Sequence, residues 1–295
     1  MKITLTGAAG NITKPLAEKL LAAGHQVTVI GRNAENLKSL TDKGSVAKIG
    51  SITDPAFVED AFAGSDVVYT MIPAPYHESE WIDYSYNIGK NYANAILANG
   101  IKKAVNLSTY GAHRQEGIGS INSIAQLERA LNELTDVTII HLRAARFYSN
   151  FFAQIAAIKQ FGVLGSSYNG NVKMIFAHTN DIADAAFKAI QTNELDNQSP
   201  YYVVSDVATF NEVATEIALA IHKDLKWTEL TDEELKSNFQ QIGFPDFLVE
   251  KILEIEQQTR SGILTEHYFS LQNKPQLGRN KLKDFAKEFA TIYNS

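Results

Sequence analysis

Cysteine is absent from the 295-residue chain, which excludes disulfides, an iron–sulfur cluster and a thiol nucleophile. Long apolar runs are also missing: none reaches the about 20 residues that a bilayer-spanning helix needs. There is no excess of positive charge. The balance of 27 basic and 33 acidic residues gives a net charge of -6 and no long basic stripe, which argues against direct nucleic-acid binding. The seven histidines are scattered without an H-x-x-x-H pair, so no metal site is expected. Met1-Lys2 runs straight into the strand pattern Ile3-Thr4-Leu5, so no secretory leader is expected and the reading is cytoplasmic.

What is present is a strict alternation of strand and helix patterns over the first half. Strands are expected at Lys2 to Thr6, Val27 to Gly31, Val46 to Ile49, Val67 to Ile72, Ala104 to Ser108 and Val137 to Leu142. Between them, a helix over 11 to 23 carries Ile12, Leu16 and Leu20 on one stripe, and Gly24 stops it. Asn33 can cap a short helix with Leu37 and Leu40, and Asp54-Pro55 opens the next. Longer helices are expected from about Trp81 to Asn99 and over 123 to 134, where Ile124, Leu127, Leu131 and Leu134 form a stripe. This alternation predicts an α/β fold, a Rossmann-type doubly wound parallel sheet, with a smaller, mostly helical domain. Residues 1–147, with about 178–205 returning to them, form the dinucleotide-binding part; 148–177 and 206–295 form the smaller substrate-side region.

The second half is less regular. Phe151 to Phe161 reads as helix, Lys173 to Ala177 as a short strand, and Asn180 or Asp181 as the cap of a helix through Ile190. Tyr201 to Val204 reads as a strand returning to the main sheet, and helices follow at about 210–222, 231–241, 245–259 and 281–293.

The chemistry-bearing motif is "TLTGAAGNITKPLAEKLLAAGHQVTVIGRN", residues 4 to 33. Gly7 and Gly10 lie between a strand and a helix, where glycine lets the backbone approach a pyrophosphate and the helix N-terminus supplies N–H groups and a favourable dipole. Thr13 stands where a third small residue is usual, which implies looser helix–strand packing or a hydroxyl turned to the phosphates. Arg32 follows the second strand where an acid would mark NAD; a guanidinium suits a 2′-phosphate, so NADPH is expected in preference to NADH.

Residues 1–33, "GSITDPAFVEDAFAGSDVVYTMIP" (50–73), "NLSTYGAH" (106–113), "LRAARFYSNFF" (142–152) and "FAHTNDIADAAFKAI" (176–190) resemble the NmrA-like branch of the atypical short-chain dehydrogenase/reductases. The tail "LTDEELKSNFQQIGFPDFLVEKILEIEQQTRSGI" (230–263) resembles the small domain of bacterial NAD(P)H:quinone oxidoreductases of that branch. The resemblance implies that Gly7, Gly10, Asn11 and Ile12 meet the pyrophosphate, Arg32 the adenosine phosphate, and Ile72 and Pro73 the ribose path. Ser108, Thr109 and Arg143 to Phe147 would approach the nicotinamide. Gly50-Ser51 departs from the Gly-Asp common after the third strand and removes an expected adenine contact.

Short-chain dehydrogenases commonly carry Tyr-x-x-x-Lys on the helix after the fifth strand, as acid and pKa-lowering partner. Here that stretch, Ser123 to Glu128, has neither; Ile124 joins the core stripe and Glu128 reads as a surface or cofactor-edge residue. Tyr110, a proton donor or a substrate wall, and His113 follow the fifth strand; Tyr148 and Asn150 follow the sixth. Tyr76, His77 and Trp81 could form another wall, and Phe244 to Leu248 a lid, since Gly243 and Pro245 bracket a break between helices there. Asp181 reads as a helix N-cap.

Hydride transfer to a quinone needs positioning and water exclusion more than an acid–base pair. The sequence therefore points to an NADPH-dependent oxidoreductase of a quinone or similar small planar acceptor. The alternative is a non-catalytic NAD(P)-binding sensor acting through a protein partner. Homo-oligomerisation is left open, and no membrane association is expected.

Overall fold

The computed structural model describes residues 1–73, 78–114, 117–192, 195 and 200–295. The first half runs β1 (Lys2–Leu5), α1 (Thr13–Ala22), β2 (Gln26–Gly31), α2 (Lys38–Thr41), β3 (Val46–Ile49), α3 (Pro55–Phe62), β4 (Val67–Thr70), α4 (Trp81–Ala98), β5 (Lys103–Thr109), α5 (Ile121–Leu131) and β6 (Thr138–Ala144). The chain then passes through β7 (Arg146–Phe147), a 3-10 stretch (Tyr148–Gln154), α6 (Ile155–Phe161), β8 (Leu164–Ser166), β9 (Lys173–Ala177), α7 (Thr179–Gln191) and β10 (Tyr201–Val203). It ends with β11 (Asp206–Thr209), α8 (Phe210–Ile221), β12 (Trp227–Glu229), α9 (Asp232–Gln241), α10 (Asp246–Ser261), α11 (Glu266–Ser270) and α12 (Leu282–Asn294).

Seven parallel strands form the main sheet in the order β10-β6-β5-β4-β1-β2-β3. The strands are apolar on both faces because helices cover both. Leu5, Val29, Tyr69 and Val105 pack with Leu16 and Ile182 beneath α1 and α7. Ile30, Val68, Ala104 and Ile139 pack with Val58, Ile88 and Leu127 beneath α3, α4 and α5. Each such large side chain contributes about 1.5–3 kcal/mol by leaving water. Helices α4 and α5 approach closely at Gly89, where a Cβ would lie 2.6 Å from that of Ala130. The strand order reverses direction between β1 and β4, which opens a crevice beyond the strand C-termini.

The smaller layer is a three-stranded sheet, β11-β9-β7, and a β12-β8 pair, backed by α8 and α12. Aromatic rings fill its interior: Tyr148, Phe151, Phe176, Phe210, Phe285 and Phe289. Tyr148 lies parallel between Phe176 and Phe285, with centroids 5.2 and 4.9 Å away, and its hydroxyl donates to Asp206 at 2.9 Å.

Several expected boundaries shift for local reasons. The stretch 148–154 is 3-10 rather than α-helical, and α-helix begins only at Ile155. Asp54 caps α3 as expected, accepting from the N–H groups of Ala56 and Phe57. The cap of α7 is neither Asn180 nor Asp181. The His178 ring accepts from the Asn180 N–H at 3.2 Å. Asp181 instead is a buried anchor for the C-terminal segment. It accepts from the Ser205 hydroxyl, from the backbone N–H groups of Arg279 and Asn280, and from the Asn280 amide. Among the described residues no helix is long and apolar enough to cross a membrane.

Candidate functional site

The turn after β1 is built for close approach. Gly7 has φ +66°, and a Cβ there would fall 2.4 Å from the Met71 sulfur. The Gly10 N–H donates to the Gly7 carbonyl at 3.0 Å, which closes the turn. Helix α1 then starts at Thr13 with no side chain capping its N-terminus. An uncapped helix start leaves N–H donors for an anion, and the helix dipole favours one there. Gly10 and Asn11 are exposed at this point, and Ile12 is buried. Thr13 is buried beside the Tyr69 hydroxyl, so its own hydroxyl faces inward rather than toward a phosphate.

Across the crevice, Arg32 is exposed just beyond β2, near Tyr84, and joins no ion pair among the described residues. Ser51 spends its hydroxyl within its own turn, on Thr53. Ile72 is buried and Pro73 exposed just after β4. Tyr76 and His77 lie outside the described residues, and Trp81 is buried at the start of α4.

At the ends of β5 and β6 the polar side chains turn inward. Glu128, on α5, is buried and takes Arg143 in a two-pronged pair, at 3.0 Å from Nε and 2.6 Å from Nη2. The Ser108 hydroxyl donates to the same carboxylate. Burial opposes the charge of Arg143, but Glu128 more than offsets this and leaves its pKa raised. Glu128 is thus not a surface residue. It locks β5, β6 and α5 together, and Ser108 and Arg143 are turned into this lock. Thr109 and Phe147, half-buried, lie at the strand ends. Ile124 is half-buried and outside both core clusters, whereas Leu127, Leu131 and Leu134 belong to one. The Tyr-x-x-x-Lys spacing does occur at Tyr86 and Lys90, but on α4, where both bind the Glu133 carboxylate at the surface, at 2.8 and 2.6 Å.

The residues expected to wall a substrate cleft are not brought to one surface. Tyr148 is 1% exposed, held between two phenylalanines and tied to Asp206. Its stacking corrects the expectation of an open aromatic wall. Tyr148→Phe should cost about 1–3 kcal/mol through the lost bond to a carboxylate. Cofactor and acceptor affinities should stay unchanged; a change in either, with stability intact in thermal melts, would return Tyr148 to the site. His113 is half-buried under α11. Its ring lies 5.2 Å from that of His267, and Nε2 is 3.4 Å from Glu266, which also takes Arg114. Burial lowers its pKa and favours the neutral ring. Asn150 is exposed on the 3-10 stretch, and Phe244 stacks on Phe239 of α9. Helix α10 packs on the head of α5, where a Cβ at Gly119 would fall 2.6 Å from the Ile255 side chain and from the Lys251 carbonyl oxygen.

Tyr110 is nearly buried, one residue past β5, with its N–H on the Ala144 carbonyl. Burial raises its pKa, and Arg146 beside it opposes this. Arg146, part of the stretch 143–147 expected near the nicotinamide, shares this place with Tyr168 and Glu256, which no local pattern marks. A cation inside the otherwise apolar run Ala144-Ala145-Arg146-Phe147-Tyr148 was the available signal for Arg146. A cleft of about 510 Å³ opens between the starts of α1 and α7, lined by Asn11, Lys14, Tyr148, His178, Asn180 and Glu288 among others.

The NmrA-like family model matches residues 1–272. The chain belongs to the NmrA-like family. Among curated relatives, Quinone oxidoreductase 2 of Escherichia coli (strain K12) is 23% identical over 257 residues, covering 85% of this chain and 86% of the relative. The fold is shared with Citrobacter sp. triphenylmethane reductase complexed with NADP(H), at a TM-score of 0.77 and 22% identity, over 97% of this chain and 99% of that one. It is also shared with NmrA, a negative transcriptional regulator in complex with NADP, at a TM-score of 0.76 and 12% identity, over 99% of this chain and 93% of that one.

Proposed function

We propose that this protein is an NADPH-dependent oxidoreductase that reduces a quinone or similar small planar acceptor. The carrying observation is the glycine turn feeding an uncapped α1, with Arg32 exposed just beyond β2 and in no ion pair among the described residues. The likeness to Quinone oxidoreductase 2 over 85% of the chain supports the oxidoreductase reading. In this reading residues 1–147, with about 178–205, hold the cofactor, and 148–177 with 206–295 complete the acceptor side. The turn of Gly7, Gly10, Asn11 and Ile12 binds the pyrophosphate, Arg32 the 2′-phosphate, and Ile72 and Pro73 border the ribose. Thr109 and Phe147 flank the nicotinamide, with Ser108 and Arg143 holding the strand ends in place. The nicotinamide supplies the hydride when bound.

The chain's own part is positioning and the exclusion of water. Tyr110 keeps its proton, because burial raises its pKa, and so can donate a hydrogen bond to an acceptor oxygen. A buried ion pair at Glu128 in place of the tyrosine–lysine pair argues against secondary-alcohol chemistry.

The second reading is a dinucleotide sensor acting through a protein partner, favoured by that same missing pair and by the fold shared with a transcriptional regulator. Steady-state NADPH consumption against a quinone panel separates the two: the reductase turns over, and the sensor binds without turnover. Arg32→Ala is expected to weaken NADPH binding about ten-fold or more while leaving NADH binding unchanged, read by fluorescence titration. Equal NADPH and NADH affinities in the unmodified protein would refute the 2′-phosphate role.

A further inference from the structure

Arg146 lies two residues past the end of β6, where β7 carries it alongside Phe176 of β9. Its guanidinium carbon sits 5.7 Å from the Tyr168 ring centroid and 5.5 Å from that of Phe210. Its Nε is buried and has no hydrogen-bond partner among the described residues, and the Tyr168 hydroxyl also has none. Tyr110 and Glu256 face the same guanidinium. Glu256 is engaged elsewhere, taking the Ser166 hydroxyl at 2.6 Å. Arg146 is half-buried as a residue although its Nε is covered, and Tyr168 and Glu256 beside it are buried.

Leaving a buried N–H unpaired costs free energy, and an arginine cannot shed its charge to relieve it. A guanidinium seated over aromatic faces keeps its in-plane donors for a planar oxygen acceptor. Burial raises the pKa of Glu256, and the Arg146 charge beside it opposes this. The neighbouring cation, Arg260, is already held by both oxygens of Asp232, at 2.7 and 2.8 Å.

We propose that Arg146, flanked by the Tyr110 and Tyr168 hydroxyls, is the specificity-determining contact of the acceptor site and selects planar acceptors that carry an ionised oxygen. Hydroxynaphthoquinones and quinone carboxylates are the matching chemistry. Neutral quinones of the same size lack the charge that completes the unpaired donor. This assignment rests on reading the crevice at Tyr110 as the acceptor site.

The test is a binding measurement, so that it is independent of turnover. The full chain, saturated with NADP+, is titrated calorimetrically with 2-hydroxy-1,4-naphthoquinone, which is ionised at neutral pH, and with 1,4-naphthoquinone. The hydroxy compound should bind about ten-fold or more tightly. Arg146→Gln should remove that preference, and Arg146→Lys should keep part of it. The preference is read as the ratio of the two affinities within each variant, and a circular-dichroism spectrum matching that of the unmodified protein shows that the fold survives. Equal binding of the two compounds, binding of neither, or a preference retained by Arg146→Gln would overturn the assignment. Selective binding without NADPH oxidation would instead sink the reductase reading and leave the Arg146 assignment standing.

Discussion

Gly10→Val is expected to lose NADPH affinity by about 100-fold or more while the thermal midpoint moves by only a few degrees. The Cβ of residue 10 would lie 3.2 Å from the Gly7 carbonyl oxygen, tighter than ordinary contact, and the branched methyls would project into the space where a pyrophosphate meets α1. The turn is exposed on this side, so the fold can absorb the change, whereas the ligand cannot. Gly7 offers no such separation. Its positive φ and the Met71 sulfur make even alanine a folding problem there. Titration of NADPH into Gly10→Val with near-normal affinity would show that the turn does not bind the cofactor.

Glu128→Ala should destabilise the protein by about 3–5 kcal/mol. The cost comes less from the lost attraction than from Arg143, left charged and buried without a partner, and from the Ser108 hydroxyl left facing a void. Glu128→Gln should cost less, since an amide oxygen still accepts one bond. Replacing both Glu128 and Arg143 with apolar residues of similar volume should recover much of the loss, which marks the pair as a device for positioning rather than stability. Denaturant unfolding of the four proteins reads this directly. An exposed-residue result, with Glu128→Ala within about 0.5 kcal/mol of the unmodified protein, would contradict the buried lock.

The difference between what was legible in the residue order and what was not follows the range of the interaction. The parallel sheet was readable because each strand is a short apolar run and each helix starts and stops on local signals, Asp54-Pro55 and Gly24 among them. The glycine turn was readable for the same reason: strand, glycines and helix start are consecutive. The exposed position of Arg32 was readable because it directly follows β2.

Glu128 was misread as an edge residue because its partner is fifteen residues away on another element, and no periodicity on α5 announces a buried charge. Asp181 has the residue type of a cap and the position of one, yet its carboxylate serves Asn280, ninety-nine residues later. Tyr148 has the sequence position of a substrate wall, but the 3-10 turn it begins rotates it into a stack with Phe176 and Phe285. In each case a long-range contact, invisible to local pattern, decides the side chain's surroundings.

The central claim is that bound NADPH gives up its hydride to a planar acceptor in this crevice, without an acid–base pair on α5. Its most direct test is an anaerobic single turnover. The protein saturated with NADPH is mixed rapidly with a naphthoquinone, and the loss of NADPH absorbance is followed. The account predicts a full-amplitude decay whose rate saturates with quinone, exceeds the rate of the two compounds in buffer, and vanishes in Gly10→Val. A protein that binds NADPH tightly yet shows only the buffer rate at every quinone concentration would contradict the account and leave the sensor.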